Sequence, residues 1–540
     1  MKTFDELPLG ELILTEGQNK TADNDKYVRL MWEVDRNTVG KGLTWLIYSK
    51  GGDYRKWFGN LQHVVNWSAP ARSHYRKSSS CRIISENYWY REGVTWTDIT
   101  SGGTGFRYLP IDTTFDMSGP AAFFENSSDI YKHISLLNSS YTKYLLPVLN
   151  PTLHAQLRDV KAIPQLRDAV CNARCYDISK SCIHLSKADW DSFEISWDFT
   201  ILPLLHFDFR QPALKTNYQK LRAHWREMTL ETQRLEEENN RIFIEAYGLK
   251  DELTSNVPLE EITLTSNPYY RYGGNRSEEN LETLLQCDTL RELVSYGIGC
   301  MMGRYSLDKP GLILASQGET TRDYLAQIPK PSFTPDENAI IPLTDQEWFP
   351  DDATNRFRDF ISTVWGEEHL QENLDFVAES LCLHAIKPKK GEAALETIRR
   401  YLSTQFYKDH LRTYKKRPIY WLFSSGKQKA FECLVYLHRY NESTLAEMRT
   451  DYVIPLTEKL AGYVEKLEQD KEASASAAEA KRIEKELSKL YKQQTELNAF
   501  DEKLRHHADQ RISLDLDDGV RVNYGKFGDL LAEAKSICGK

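Results

Sequence analysis

The chain has 540 residues, of which 41% are hydrophobic, 27% charged and 11% aromatic; this balance excludes wholesale disorder, and the length exceeds what one core holds, so two to four domains are expected. A net charge of -9 argues against indiscriminate adhesion to nucleic acid, and the lack of any run of about 18 apolar residues argues against a membrane span. The start, "MKTFDELPLGELIL", has neither a basic region nor a continuous apolar one, and the nine cysteines are scattered and odd in number. Together they predict a cytoplasmic protein without a disulfide framework.

Residues 1 to about 150 read as strand-rich. "KYVRLMWEV" (26–34), "GLTWLIYS" (42–49), "QHVVNW" (62–67) and "GFRYLPI" (105–111) are short, β-branched or aromatic, and separated by Gly, Asn and Ser turns. Between them "NYWYREGVTWTDITSGGTG" (87–105) reads as a polar, glycine-rich loop. The following stretch, from "FFENSS" onward, predicts one helix ended by Pro147 or Pro151, because proline lacks the amide donor and clashes within a helix. From about 155 helical periodicity dominates. A long amphipathic helix is expected over 216–247, closing at Gly248, with a further helix at 276–305 and at least three more over 354–415. The Pro- and Asp-rich stretch 329–352 reads as a connector. Ile483, Leu487, Leu490, Gln494, Leu497, Asp501 and Leu504 alternate spacings of four and three, a heptad seam that predicts an antiparallel arm with the segment carrying Leu460, Val464 and Leu467.

Several fragments imitate catalytic signatures and fail on spacing. "FSSGKQK" (423–429) has the Gly-Lys of a phosphate loop, but Trp421 stands where the first glycine belongs and Gln428 where the metal-binding hydroxyl belongs. "GIGCMMG" (297–303) brings its last glycine one residue late for a dinucleotide fingerprint, and close helix packing accounts for its small residues. Cys171, Cys175 and Cys182, with His184, lack zinc-ligand spacing, and the three cysteines read as free thiols. "NPYY" (267–270) resembles the tetrapeptide with which adenine amino-methyltransferases hold a flipped base. Tyr269 replaces its second proline, so an aromatic turn is the better reading.

One segment opposes the sign of the chain. Lys50 to Arg107 carries nine cations against four acids, a local charge of +5. DNA recognition needs cations for phosphates and planar or hydrogen-bonding side chains for base edges, and this segment supplies both. The candidate DNA-binding residues are Lys50, Arg55, Lys56, Trp57, Asn60, Arg76, Lys77, Arg82, Tyr90, Arg91, Thr95, Trp96, Ser101, Thr104 and Arg107. In "GGDYRKWFGN" (51–60), Gly51 and Gly52 permit a tight reversal that lets Arg55 and Lys56 face a phosphate backbone while Trp57 or Phe58 anchors the loop. The competing reading is a β-rich domain whose aromatics fill a core and whose cations are merely solvated.

Long phrases, in order, carry a resemblance: "YSKGGDYRKWFGNLQHVVNW", "YWYREGVTWTDITSGGTGFRYLPIDTTFDMSGPAAFF", "DWDSFEISWDF", "YGIGCMMGRYSLDKPGL", "KRPIYWLFSSGKQKAFECLVYLHRY" and "LDDGVRVNYGKFGDLL". From about residue 8 to its end the chain resembles the target-recognition region of the PglX (BrxX) adenine-specific DNA methyltransferases of BREX phage-defence systems. The strand-rich start and the helical periodicity after it predict an α+β fold: a β-rich domain (1–155), which the resemblance makes the target-recognition domain, a mainly helical spacer with connector (156–350), a second helical subdomain (351–455), and a helical hairpin or coiled-coil arm with tail (456–540). The resemblance implies that double-stranded DNA is the partner, together with a missing N-terminal methyltransferase domain and other BREX proteins; the charge of the basic face adds an acidic DNA-mimicking phage inhibitor as a further expected partner. S-adenosylmethionine is expected for the full-length family protein, and no catalytic, cofactor or metal residue is expected in this chain. The alternative is a non-catalytic scaffold that docks other defence proteins.

Overall fold

Strands form where the short β-branched and aromatic runs lie, and also where the sequence reads as loop. The structure, a computed structural model, describes residues 6–100, 102–474 and 476–539. Two units divide the chain: the first comprises Met1–Met31, Arg36–Pro203 and Gln219–Leu285, the second Trp32–Asp35, Leu204–Tyr218 and Gln286–Lys540.

In the first unit the strands are β1 (Val28–Leu30), β2 (Trp45–Ser49), β3 (His63–Asn66), β4 (Gly93–Thr95), β5 (Arg107–Leu109), β6 (Thr113–Phe115) and β7 (Ala121–Ala122). One sheet has the order β1-β3-β2-β6, antiparallel except for the β2–β6 pair; the other has the order β5-β4-β7 and is antiparallel throughout. β4 corrects the reading of 87–105 as an uninterrupted loop. It is the buried middle strand of its sheet, and Gly93 is required there because a Cβ would lie 2.6 Å from the Ala122 carbonyl oxygen. Gly51 and Gly52 have φ of 73° and 136°, and a Cβ on Gly51 would meet the Ser118 carbonyl at 2.6 Å. Both glycines thus hold the left-handed φ that a side chain would resist.

Helix α1 (Ala69–Lys77) is capped by Ser68 and has a proline in its first turn, where no donor is needed. The single helix expected after residue 123 is two, α2 (Ser127–Leu137) and α3 (Ser140–Leu149). The Ser139 side chain accepts from the Thr142 amide and starts the second, which runs through Pro147 rather than stopping there. α4 (Ala173–Trp190) and α5 (Leu214–Ala246), the latter from Gln219 onward, complete the frame of this unit. Its core joins Trp57, Trp96, Phe106 and Phe123 to Ile178, Leu235 and Phe243, so residues beyond 155 close the hydrophobic centre of the strand-rich part.

In the second unit β8 (Ile340–Pro342), β9 (Tyr420–Ser424) and β10 (Glu432–Tyr436) form an antiparallel sheet in the order β8-β10-β9. Helices α6 (Ile454–Ala473) and α7 (Ala477–Asp509) pack against each other. The pairs Arg449–Asp501, Tyr463–Glu486 and Lys471–Glu484 rise along one segment while they fall along the other, which makes the packing antiparallel. The seam keeps the 3.5-residue average but in another phase: Gln493 and Phe500 are buried, not Gln494 and Asp501, so that from Leu490 the spacings run three and then four.

Candidate nucleic-acid interface

The segment 54–58 is pinned from three sides. Arg55 donates from Nη2 to Asp189 Oδ2 on α4 (2.7 Å), from Nε to the Phe58 carbonyl (2.8 Å) and from Nη1 to Thr265 Oγ1 (2.8 Å), and its guanidinium lies 5.0 Å from the Trp190 ring centroid. Lys56 pairs with Glu236 on α5, whose other oxygen accepts from Trp57 Nε1 at 2.7 Å. The Arg55 side chain is 3% exposed and that of Asp189 0%. Burial alone would lower the Lys56 ammonium, but Glu236 and the neighbouring Tyr54 outweigh it and hold the group above its ordinary value. Arg107 is enclosed as well, donating to the carbonyls of Arg55 (3.2 Å) and Gly105 (3.3 Å) and to Thr97 Oγ1 (3.3 Å). Burial, then the nearby Arg55 charge, pushes it down to about 10.

These contacts differ from the expectation that Arg55 and Lys56 face solvent. Two carboxylates from distant parts of the chain take them inward instead. Trp57 and Phe58 both point into the core, at 1% and 4% exposure, so neither serves as a surface ring. Trp96 is buried and donates from Nε1 to the Ala155 carbonyl (2.6 Å), and Thr95 Oγ1 on β4 lies 3.0 Å from Ser49 Oγ on β2, a contact between the two sheets. Of the predicted residues, Arg55, Lys56, Trp57, Thr95, Trp96 and Arg107 are therefore internal.

The others lie at or near the surface. Lys50 Nζ is 3.8 Å from Asp116, Asn60 Nδ2 donates to the Asp53 carbonyl (2.8 Å), and Arg91 donates to the Phe124 carbonyl. Arg82 donates to the Glu16 carbonyl and is exposed, as is Lys77. Thr104 lines a cavity of about 870 Å³ together with Tyr54, Lys56, Asn138, Lys143 and Glu236. Ser101 lies outside the described residues. Arg76 stands on the outer face of α1, 2.8 Å from Glu86, and Tyr90 is half-buried at φ 57°.

Around Arg76 and Tyr90 the structure gathers residues that the sequence reading passed over. Arg72, one helical turn before Arg76, lies 5.4 Å from the Trp89 ring, Arg76 lies 5.7 Å from it, and Lys41 lies 5.1 Å from the Tyr90 ring. The available signal was "SAPARSHYRK", a serine cap and proline followed by arginines four apart.

The catalytic imitations are occupied internally. Asn267 caps its turn by accepting from the Tyr269 amide, while its Nδ2 donates to the carbonyls of Leu259 and Ile262 (2.7 and 2.8 Å). Ser425 Oγ and the amides of Gln428 and Ala430 all donate to the Glu496 carboxylate, so the 423–429 loop holds an anion from its own chain. A Cβ on Gly299 would sit 2.4 Å from the Tyr305 ring, the close packing expected there. Among the described residues no cluster of three His, Cys, Asp or Glu side chains has metal-binding geometry, and no helix is long and apolar enough to cross a membrane.

No family model matches the chain. It is 44% identical over 546 residues to the adenine-specific methyltransferase BrxX of Escherichia coli O9:H4 (strain HS), a match covering 100% of this chain and 44% of that protein. It is 35% identical over 528 residues to the adenine-specific methyltransferase PglX of Lacticaseibacillus casei (strain Zhang), covering 94% of this chain and 41% of that one. The chain is thus homologous to the BrxX and PglX adenine-specific methyltransferases, and it spans less than half of their length.

Proposed function

We propose that this chain is the DNA-recognition half of a site-specific adenine-N6 DNA methyltransferase of a BREX phage-defence system. It holds double-stranded DNA and sets which adenine is presented; methyl transfer from S-adenosylmethionine belongs to the part of the relatives that this chain does not match. The observation that carries this reading is the homology itself, which runs through the whole chain yet takes in only 44% of BrxX. Exposed cations on α1 and half-buried aromatics beside it supply the kind of surface a duplex needs.

The test is fluorescence anisotropy of a labelled duplex with the purified chain across a salt series, in parallel with a tritiated methyl-transfer assay. Phosphate contacts release counterions, so affinity should fall steeply as salt rises, while no methyl transfer occurs without the remaining part of the enzyme. Turnover by the chain alone would overturn the half-enzyme assignment. The burial of Arg55, Lys56 and Arg107 favours a second reading, a scaffold for other defence proteins, because it withdraws three cations from the surface. Duplex affinity that does not change with salt would put the scaffold first.

A further inference from the structure

We propose that Lys41, Arg72 and Arg76, gathered on the Trp89–Tyr90 pair, form the surface that takes the sugar-phosphate backbone of the duplex, and that Glu86 holds Arg76 in the place a phosphate oxygen takes over. This rests on the DNA-recognition reading and adds to it the face that binds and a resident competitor.

The geometry begins with the core side of α1. Tyr75 points inward at 3% exposure, and its hydroxyl donates to the Asn66 carbonyl (2.9 Å), which fixes the roll of the helix. Arg72 and Arg76 therefore share one outer face. Arg72 Nη1 donates to the Trp67 carbonyl (2.9 Å), and Trp67 meets the Trp89 ring edge-on at 5.1 Å. Trp89 Nε1 is spent on the Ile84 carbonyl (3.0 Å), leaving its ring face as what it offers the arginines. Both guanidiniums are thus held against a fixed plane, which lowers the entropy cost when they meet an anion.

The charge arrangement says what that anion is. Among the described residues no carboxylate pairs with Lys41, Arg72 or Lys77, and the one acid in the group, Glu86, meets Arg76 with side chains 72% and 50% exposed. An ion pair so exposed contributes about 0–1 kcal/mol. It is a contact that an incoming phosphate displaces at little cost. Cations spread along a helix face, backed by flat rings and lacking compensating acids, fit a linear polyanion better than a single small anion.

The experiment is duplex binding across a salt series by the full chain and two variants, with thermal melts as the folding control. Lys41→Ala/Arg72→Ala/Arg76→Ala should weaken binding at least tenfold and reduce the log–log salt slope by about 2–3, close to one for each phosphate no longer neutralised. Glu86→Gln should act in the opposite direction, tightening binding two- to fivefold. Glu86→Gln should melt as the wild type does, since Glu86 is exposed; the triple variant should melt slightly lower yet cooperatively, because Arg72 is half-buried and its bond to the Trp67 carbonyl is lost. If the wild-type chain binds duplex and the triple variant matches it within twofold in affinity and slope, this surface is not the one used. Weaker binding by Glu86→Gln would overturn the competitor role. If the wild-type chain binds no duplex, the recognition reading falls and takes this surface with it.

Discussion

Replacing Arg55 separates a stabilising role from a DNA-contacting one. In Arg55→Ala the Asp189 carboxylate keeps the amides of Thr265 (2.7 Å) and Ser266 (2.8 Å) but loses its only cationic partner among the described residues, in a place with no solvent access. Removing one member of a buried ion pair costs about 3–5 kcal/mol, because a desolvated charge is left behind. Asp189→Ala should cost more, since it strands the guanidinium and also orphans two amides, at about 1–3 kcal/mol each. Substituting both members, Arg55→Met with Asp189→Leu, should recover part of the loss, as apolar replacements of buried pairs often do. Urea unfolding followed by tryptophan fluorescence reads these effects, with Trp57 and Trp190 as reporters beside the pair. Duplex anisotropy at a temperature where each variant is folded reads the other role, and affinity should stay within twofold of wild type. An Arg55→Ala protein as stable as wild type to within 1 kcal/mol, with duplex affinity down tenfold, would refute the reasoning and return Arg55 to the DNA.

Two further outcomes follow from the second unit. His410 and His438 are buried and held down to about 3, by burial first and then by the Arg304 charge. Their folded values lie below the unfolded value of about 6.5, so the unfolded chain binds protons first; stability is full above about pH 6.5 and is lost as pH falls toward 3. Urea midpoints measured down this window should decline, and His438→Gln should flatten the decline. Glu496→Ala removes the acceptor for Ser425, Gln428 and Ala430. Hydrogen exchange at the Gln428 and Ala430 amides should accelerate at least tenfold, whereas unchanged protection would mean that another group holds the loop.

Much of the fold was legible because it is set locally. The runs at 42–49 and 62–67 carry their strands, Gly248 follows α5 at φ 67°, and the paired glycines at 51 and 52 take the positive φ that glycine favours. Where the sequence misled, the deciding contact was distant. Gly93-Val94-Thr95 looks like loop until Ala122 and Tyr108 pair with it from either side. "DYRKWF" looks like a surface patch because its acids, Asp189 and Glu236, lie 134 and 180 residues downstream of the cations they neutralise. A charge count over the window includes the cations but not these two acids. The arginines of α1 were visible in the same window, but their significance depends on Trp89 reaching them from beyond the helix.

That distinction changes what the +5 between Lys50 and Arg107 means. Arg55 and Lys56 are neutralised by carboxylates inside the protein, and Arg107 is enclosed and donates to carbonyls, so none of the three can touch a phosphate directly. Their consequence is mechanical. Arg107 takes the Arg55 and Gly105 carbonyls together, and a Cβ on Gly105 would lie 2.3 Å from that same Arg55 carbonyl, so the segment carrying Thr104 is locked to the segment carrying the buried pairs. At physiological salt exposed charges are screened beyond about 8 Å, and a duplex would sense only cations that stand close together on the surface. Within the window Arg72, Arg76 and Lys77 meet that condition on less than two turns of α1. Arg55, Lys56 and Arg107 therefore act through rigidity, by holding the framework on which a much shorter stretch of helix is presented.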